Sequence, residues 1–342
     1  MPANLYRRGG TWYARVQISG TDLRRSLRTR DRSEALSRLR AFVAAAARER
    51  FTGEPQRRWK DAAHRYTTEI LPASVAPTTA TRYMCSVRQV DHILRDTFVD
   101  AIGRREIARI AHRAGVSNAT RRRDLTAVSR VLTACVAWGW RDDNPARAYD
   151  RSLIRERRAA LVLPSEADIG AVVALAPGNL ARLIRFAQYT GMRQEEVASL
   201  ERGQLRDDAL DVWRAKSGRP RVVPLDERAA GTIAGTAQAL HSQFVFHHAG
   251  GRYRNVASRF RALVRRAGAT AKREKRPFKP FRFHDLRHWY AVDYLRRGGN
   301  IYDLAAILGH SSVKTTEIYL AHLDASEQRR AKHSPAQNPA QL

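Results

Sequence analysis

The chain has 342 residues, with 62 Lys+Arg against 33 Asp+Glu, a formal net charge of +29 and a pI of about 11.3. That length suits two or three domains with real cores, and no apolar run is long enough to span a bilayer or to serve as a secretion signal. The charge attracts polyanions at long range, nucleic acid being the commonest, and the excess of arginine over lysine supplies planar donor forks that suit phosphate. GC-rich coding, which raises Arg and Ala together, explains the same composition without any function. Cys85 and Cys135 lie in helical patterns without metal-type spacing, so both are expected as reduced core residues of a cytoplasmic protein.

Residues Trp12 to Ile18 alternate as a strand does, Ser19 to Asp22 read as a turn, and Leu23 to Leu27 read as the return strand. A helix is predicted from about Ser33, with Leu36, Leu39, Phe42 and Val43 on one side. Residues 1–53 therefore form a small, arginine-dense β-β-α module, closed by a Gly53-Glu54-Pro55 linker. Helical patterns follow over Trp59–Ile70, Thr79–Leu94, Arg104–Ala114 and Asn118–Trp138, with Pro72 and Pro77 interrupting the first pair. Arg121, Arg122 and Arg123 are consecutive and cannot all face one way; some are candidates for phosphate contact, and a solvated helix start is the competing reading. Residues 142–145 close this helical domain at about 147, and Arg151 to Arg158 read as a charged linker.

A second helical domain opens at Ser165, an N-cap residue. Leu180, Leu183, Ile184 and Ala187 give one helix an apolar stripe that Gly191 ends; Arg193, Glu196, Val197 and Leu200 share a face of the next. Charges are rarely buried unless paired or used, so an Arg193–Glu196 salt bridge is the plain expectation there. Residues 210–213 and 221–223 read as strands joined by a turn at Ser217-Gly218, with Lys216 near its tip; residues 226–240 read as a helix, 244–246 as a short strand and 256–267 as a helix. The basic stretch from Lys272 to Lys279, including Arg273 and Lys275, reads as a loop that is either near a polyanion or simply solvated.

His284 and Arg287 stand at i and i+3, on one helix face. Ile301, Leu304, Ala305 and Leu308 stripe a second short helix, Gly309 sits where a C-cap glycine would re-aim the chain at His310, and Ser311 or Ser312 can cap a third. In that third helix Val313, Thr316 and Leu320 form the buried side and Tyr319 falls on its rim. Two imidazoles, a guanidinium and a late tyrosine suit an anionic, phosphate-like target. Residues 190–196 (TGMRQEE), 215–225 (AKSGRPRVVPL), the His284–Arg287 helix, Leu308-Gly309-His310 and Tyr319 occur in the order found in the tyrosine recombinases of the phage integrase family, which this chain resembles.

The resemblance implies a mainly helical protein with small β elements, in which a helical core-binding (SAM-like) domain over 56–147 and a mixed α+β catalytic domain over 160–330 clamp DNA, followed by a disordered tail over 331–342. Residues 1–53 resemble an arm-binding module, with Arg24 and Arg25 as DNA contacts. The implied reaction cuts and rejoins DNA through a 3′-phosphotyrosyl link. In it Tyr319 attacks, Arg193 and Arg287 grip the phosphate, His310 adds a hydrogen bond, His284 accepts the phenolic proton, Lys216 protonates the leaving 5′-oxygen and Glu196 orients the site. No metal, ATP or other cofactor is expected; the sequence has no Walker-type loop and no carboxylate cluster for magnesium. Implied partners are double-stranded attachment sites, a tetramer of this chain on DNA and accessory DNA-bending or excision-directing proteins, all on the bacterial nucleoid in the cytoplasm. A catalytically silent DNA-binding relative and a type IB topoisomerase are the alternatives. Trp289-Tyr290, where many relatives have a small residue after the histidine, is expected to pack under its helix.

Overall fold

The computed structural model describes residues 3–18, 21–52, 57–156, 161, 163–213, 220–234 and 242–333. It divides into two compact units, Met1–Arg158 and Ala159–Leu342.

The first unit opens with an antiparallel sheet of three strands, β1 (Ala3–Arg8), β2 (Thr11–Ile18) and β3 (Thr21–Ser26), followed by α1 (Arg32–Thr52). β1 adds a strand to the β-β-α module expected from sequence. Gly9-Gly10, both with positive φ, form the two-residue turn that returns β1 onto β2 and pairs Leu5 with Ala14. Ala14 and Val16 on the inner face pack with Leu27, Ala35 and Leu39. Leu36 is exposed instead: the buried stripe of α1 runs through Ala35, Leu39, Phe42 and Val43.

A second core holds α2 (Trp59–Arg65), α3 (Leu71–Ser74), α4 (Pro77–Leu94), α5 (Arg104–Ala111) and α6 (Asn118–Ala137). Pro72 does not interrupt its helix. A proline lacks the N–H and crowds the carbonyl four residues back; a π turn over Tyr66–Ile70, closed by Leu71 N–H to the Tyr66 carbonyl, takes up the mismatch. Pro77 stands in the first turn of α4, where its missing donor costs nothing. Arg113 bonds the buried Asp124 carboxylate at 2.6 Å, tying the loop after α5 to α6. Ala146 and Ile154 are buried in this same core, so the segment expected as linker begins only after the 3-10 turn Arg151–Ile154. Cys135 is buried, its thiol pushed up to about 12 by desolvation, whereas Cys85 is exposed on α4 and is no core residue.

The second unit is built around one apolar core. In chain order it contains α7 (Glu166–Ala174), α8 (Gly178–Thr190), α9 (Gln194–Ala198), the hairpin β4 (Ala209–Val212) and β5 (Arg221–Pro224), and α10 (Glu227–Ala234). It continues with the two-residue strands β6 (His247–His248) and β7 (Gly251–Arg252), then α11 (Val256–Arg273), α12 (Phe283–Arg296), α13 (Ile301–Leu308) and α14 (Ala325–His333). Phe244 makes only an isolated bridge to Glu201, so the strand expected over 244–246 is replaced by the β6–β7 hairpin just beyond it. The turn expected at Ser217-Gly218 lies outside the described residues. Ser165 caps α7 by accepting from Asp168 N–H. No helix among the described residues is long and apolar enough to cross a membrane.

α8 ends at Gly191, whose φ of +62° is left-handed and whose missing side chain leaves room for the Tyr290 ring. Tyr290 is buried there and Trp289 is half-buried against Tyr189, so both aromatics pack as expected. A Cβ at 191 would collide with Tyr290 and reach Leu308 Cδ2 at 3.0 Å. Gly191→Ala is therefore expected to cost about 2–4 kcal/mol, from overpacking together with left-handed strain, read as a fall in Tm of the full chain. An unchanged Tm would show that the corner relaxes freely.

Candidate active site

The site is assembled at two left-handed corners. The first is Gly191; Arg193 follows it in extended conformation as the N-cap of α9, so it precedes the helix whose face it was expected to share. The i, i+3 relation to Glu196 survives as a capping relation, in which the Glu196 Oε2 accepts the Arg193 backbone N–H at 2.9 Å. Glu196 Oε1 accepts from Arg193 Nη1 at 3.1 Å, so the plain salt bridge exists. Glu196 also receives a fork from β5: Arg221 Nη1 and Nη2 bond its two oxygens at 3.0 and 2.6 Å.

The second corner is Gly309, with φ of +66°, at the end of α13. Its missing side chain is needed because a Cβ would sit 3.0 Å from Arg221 Cδ. Three guanidiniums anchor to the carbonyls around the two corners. Arg287 donates to Gly191 O at 2.9 Å and to Leu308 O, Arg221 to Ile307 O at 2.7 Å, and Arg193 to Gly309 O at 3.3 Å. Arg287 is 3% exposed; burial, and then the charge of Arg193, push it down to about 10, so it stays cationic at neutral pH.

Three imidazoles stand around this cluster. His310 follows Gly309 and shares a hydrogen bond of 2.9 Å between its Nδ1 and Thr316 Oγ1. Burial, then Arg287 and Arg193, push it down to about 4. His284, in the first turn of α12, has an exposed side chain; the desolvation it does suffer and the nearby Arg287 still lower it. His288, one turn on, meets the His284 ring edge-on at 4.9 Å between centroids and is pushed by burial, then by His284, down to about 4. His288 and His310 are therefore neutral at pH 7.

Tyr319 departs from expectation. In place of a capped third helix the chain makes two 3-10 turns, Val313–Thr315 and Glu317–His322, and Ser312 makes no side-chain cap. Side chains three apart eclipse in a 3-10 turn. Thr316 and Tyr319 therefore both turn inward, Tyr319 to 2% exposure, while Ile318 faces out. The phenol is not on a rim; its oxygen lies 2.9 Å from His288 Nδ1, and burial holds it above its ordinary value while Arg287 pulls the other way.

Residues 173–326 match the family described as Phage integrase family. This chain carries a phage integrase domain. The chain is 26% identical over 207 residues to the integrase of Escherichia phage P2, covering 60% of this chain and 56% of that one, so it spans little more than half of that relative's length. It is also 26% identical over 225 residues to the tyrosine recombinase XerD of Caulobacter vibrioides, covering 60% and 71% of the two chains. In solved structures the fold is that of a lambda integrase dimer bound to a COC′ core site, with a TM-score of 0.65, 17% identity and coverage of 99% of this chain and 97% of that one. The Tn1549 transposon integrase in complex with circular intermediate DNA gives 0.61 at 17% identity, over 80% of this chain and 98% of that one. The mainly helical architecture with small sheets is thus the fold of the tyrosine recombinases.

Within the integrase domain the structure gathers Arg193, Glu196, His284, Arg287, His310 and Tyr319, and the expected Lys216 lies outside the described residues. Two residues of the cluster escaped the sequence reading. Arg221 shares the inner side of β5 with the buried Val223, a signal available in strand alternation. His288 lies one turn after His284, and only the tertiary contact with Tyr319 distinguishes it. The other candidates are scattered. Arg121 is bonded to Arg113 O and Asn118, Arg122 to Arg151 O, and Arg123 is exposed. Lys272 and Arg273 belong to the last turn of α11 rather than to a loop, and with Lys275 they are exposed. Arg24 is exposed beside Asp22, and the Arg25 guanidinium lies over the rings of Phe42 and Phe98 at 5.6 and 5.4 Å. Among the described residues no group of three or more His, Cys, Asp or Glu could hold a metal ion.

Burial alone would raise the Glu196 carboxyl, but Arg221 and the Arg193 N–H hold it below the usual range. Its contribution to stability is therefore present above the unfolded value near 4.3 and lost as pH falls through the folded one. Glu196→Gln should remove that part of the acid limb and lower stability at pH 7 by about 3–5 kcal/mol, since Arg221 is left buried without its counter-ion. Urea melts between pH 3 and 7 would show it, and parallel curves for the two proteins would assign Glu196 no such role.

Proposed function

We propose that this chain is a site-specific DNA recombinase or integrase that cleaves and rejoins strands through a 3′-phosphotyrosyl intermediate, serving integration or excision of a phage or other mobile element. The observation that carries the reading is a charge imbalance. Arg193 and Arg221 share the Glu196 carboxylate, Arg287 bonds the carbonyls of Gly191 and Leu308, and the Tyr319 phenol lies within the field of Arg287. Buried charges are costly when unpaired, so the excess favours an anion that can lie across the two corners, and a phosphodiester has the right charge and oxygen spacing for guanidinium forks.

In this reading Arg193 and Arg287 bind the non-bridging oxygens and the charge that builds on them in the transition state, while Arg221 and Glu196 hold Arg193 in register. His310, kept neutral, donates to the same phosphate through the nitrogen that Thr316 does not occupy. Lys216 would protonate the 5′-oxygen as it leaves. Attack of a 5′-hydroxyl on the phosphotyrosyl bond reverses the step, so bond energy is conserved without a nucleotide. Residues 1–53 would hold arm-type DNA, residues 56–147 the core site, and four copies would assemble on paired sites, as lambda integrase does in a tetramer bound to a Holliday junction.

The test uses the full chain and a nicked duplex library with a randomised core. A denaturant-resistant protein–DNA adduct is expected, in EDTA and without ATP, whose recovered duplexes share one sequence. Tyr319→Phe should bind the same duplex and form no adduct. Adduct formation by that variant would transfer the chemistry to another tyrosine, and no adduct from the unaltered chain would refute strand cleavage.

A further inference from the structure

Tyr319 is sealed from solvent, and the hydrogen bond seen at its oxygen goes to His288 rather than to His284, the histidine one turn earlier in α12 on the exposed side. The His288 ring is fixed on three sides. Nδ1 meets the phenol at 2.9 Å, the His284 ring lies edge-on at 4.9 Å, and Nε2 faces Asp285 Oδ1 at 4.0 Å. Asp285 is itself held by Arg282, which donates to it from the backbone at 2.6 Å and from Nη2 at 2.9 Å. At 4.0 Å the Asp285 carboxylate makes no hydrogen bond to the ring but is near enough to favour charge on it, so the order phenol, imidazole, carboxylate is that of a proton acceptor with a counter-charge behind it.

Resting on the strand-cleavage reading, we infer that His288 is a catalytic residue that aims the Tyr319 phenol and takes its proton through Nδ1, leaving the exposed His284 for the phosphate. As the phenol oxygen forms its bond to phosphorus, the P–O5′ bond breaks. The phenolic proton passes to Nδ1, giving an imidazolium next to the Asp285 carboxylate, and the departing 5′-oxygen takes its proton from a separate group. Religation runs the other way: the P–O5′ bond re-forms and Nδ1 returns the proton to the phenol. The transfer is late. Burial keeps the free phenol above its ordinary value and the imidazole low, so the proton stays on oxygen until the O–P bond makes that oxygen strongly acidic. The charged and titratable groups facing His288 are Arg282, Asp285, Arg287 and His284 from its own helix and cap, and Tyr319 from the 3-10 turn.

The test separates accepting the phenol's hydrogen bond from accepting its proton. Asparagine places an oxygen near the Nδ1 position and glutamine places one nearer Nε2. The duplex is the one recovered by adduct capture, made with either an ordinary 5′-oxygen or a bridging 5′-sulfur, which leaves without a proton. Single-turnover cleavage by H288N and by H288Q should each fall on the order of 10²-fold on both duplexes, with DNA retention unchanged, because H288N keeps an acceptor for the phenol's hydrogen bond but neither amide can take its proton. A rate for H288N within about tenfold of the parent chain would overturn the assignment, because it would show that position 288 supplies only a hydrogen-bond acceptor and takes no proton. So would recovery of H288Q on the sulfur duplex, which would place His288 on the leaving-group side. Absence of adduct from the parent chain would instead remove the recombinase reading itself.

Discussion

The second unit depends on one buried guanidinium. Arg287 reaches from α12 to the carbonyl of Gly191 and to that of Leu308, and so joins the ends of α8 and α13. Helix C-termini carry unsatisfied carbonyls and partial negative charge, and a cation there satisfies both. The corners themselves are possible because Gly191 and Gly309 adopt left-handed backbone and leave room for Tyr290 and Arg221. Removing water from Arg287 is costly, and the cost is offset only by strong partners. Protein carbonyls supply some of them without supplying a charge. The site is left with more cation than its own carboxylate can balance, which is a structural demand for an anionic ligand.

Glu196 organises the remainder. Its carboxylate caps α9, orients Arg193 and holds Arg221, so α9 with its cap and β5, joined across 25 residues, are set against one another by a single side chain. The salt bridge is present, and it is also what presents Arg193, which is a quarter exposed while Arg221 and Glu196 are sealed. A guanidinium held by one edge keeps its other donors free to turn toward a phosphate.

Much of this was legible in the sequence because it rests on local rules. The stripes of α8 and α13, the glycines that end them and the order of Arg193, His284, Arg287, His310 and Tyr319 all follow from helix periodicity, capping chemistry and family resemblance. What failed did so where tertiary context decides. Pro72 reads as a break until a π turn absorbs it, and Cys85 reads as core until the helix is seen to turn it outward. Tyr319 reads as a rim residue only if its segment is an α-helix; a three-residue repeat sends it inward with Thr316. Its partner His288 could not be singled out from spacing, because the contact joins elements 31 residues apart. Strand β1 needs no tertiary context, since Gly9-Gly10 is a local hairpin signal that returns it onto β2.

A cationic pocket could bind DNA without cutting it, so the central claim is that the buried phenol becomes the covalent link. Peptide mapping of the protein–DNA adduct tests this most directly, since cleavage after Lys314 and Arg329 releases Tyr319 in a peptide without any other tyrosine. The account predicts a 3′-phosphonucleotide mass on that peptide, lost on treatment that hydrolyses phosphotyrosyl bonds. A nucleotide on a peptide bearing Tyr290 or Tyr302 would contradict it.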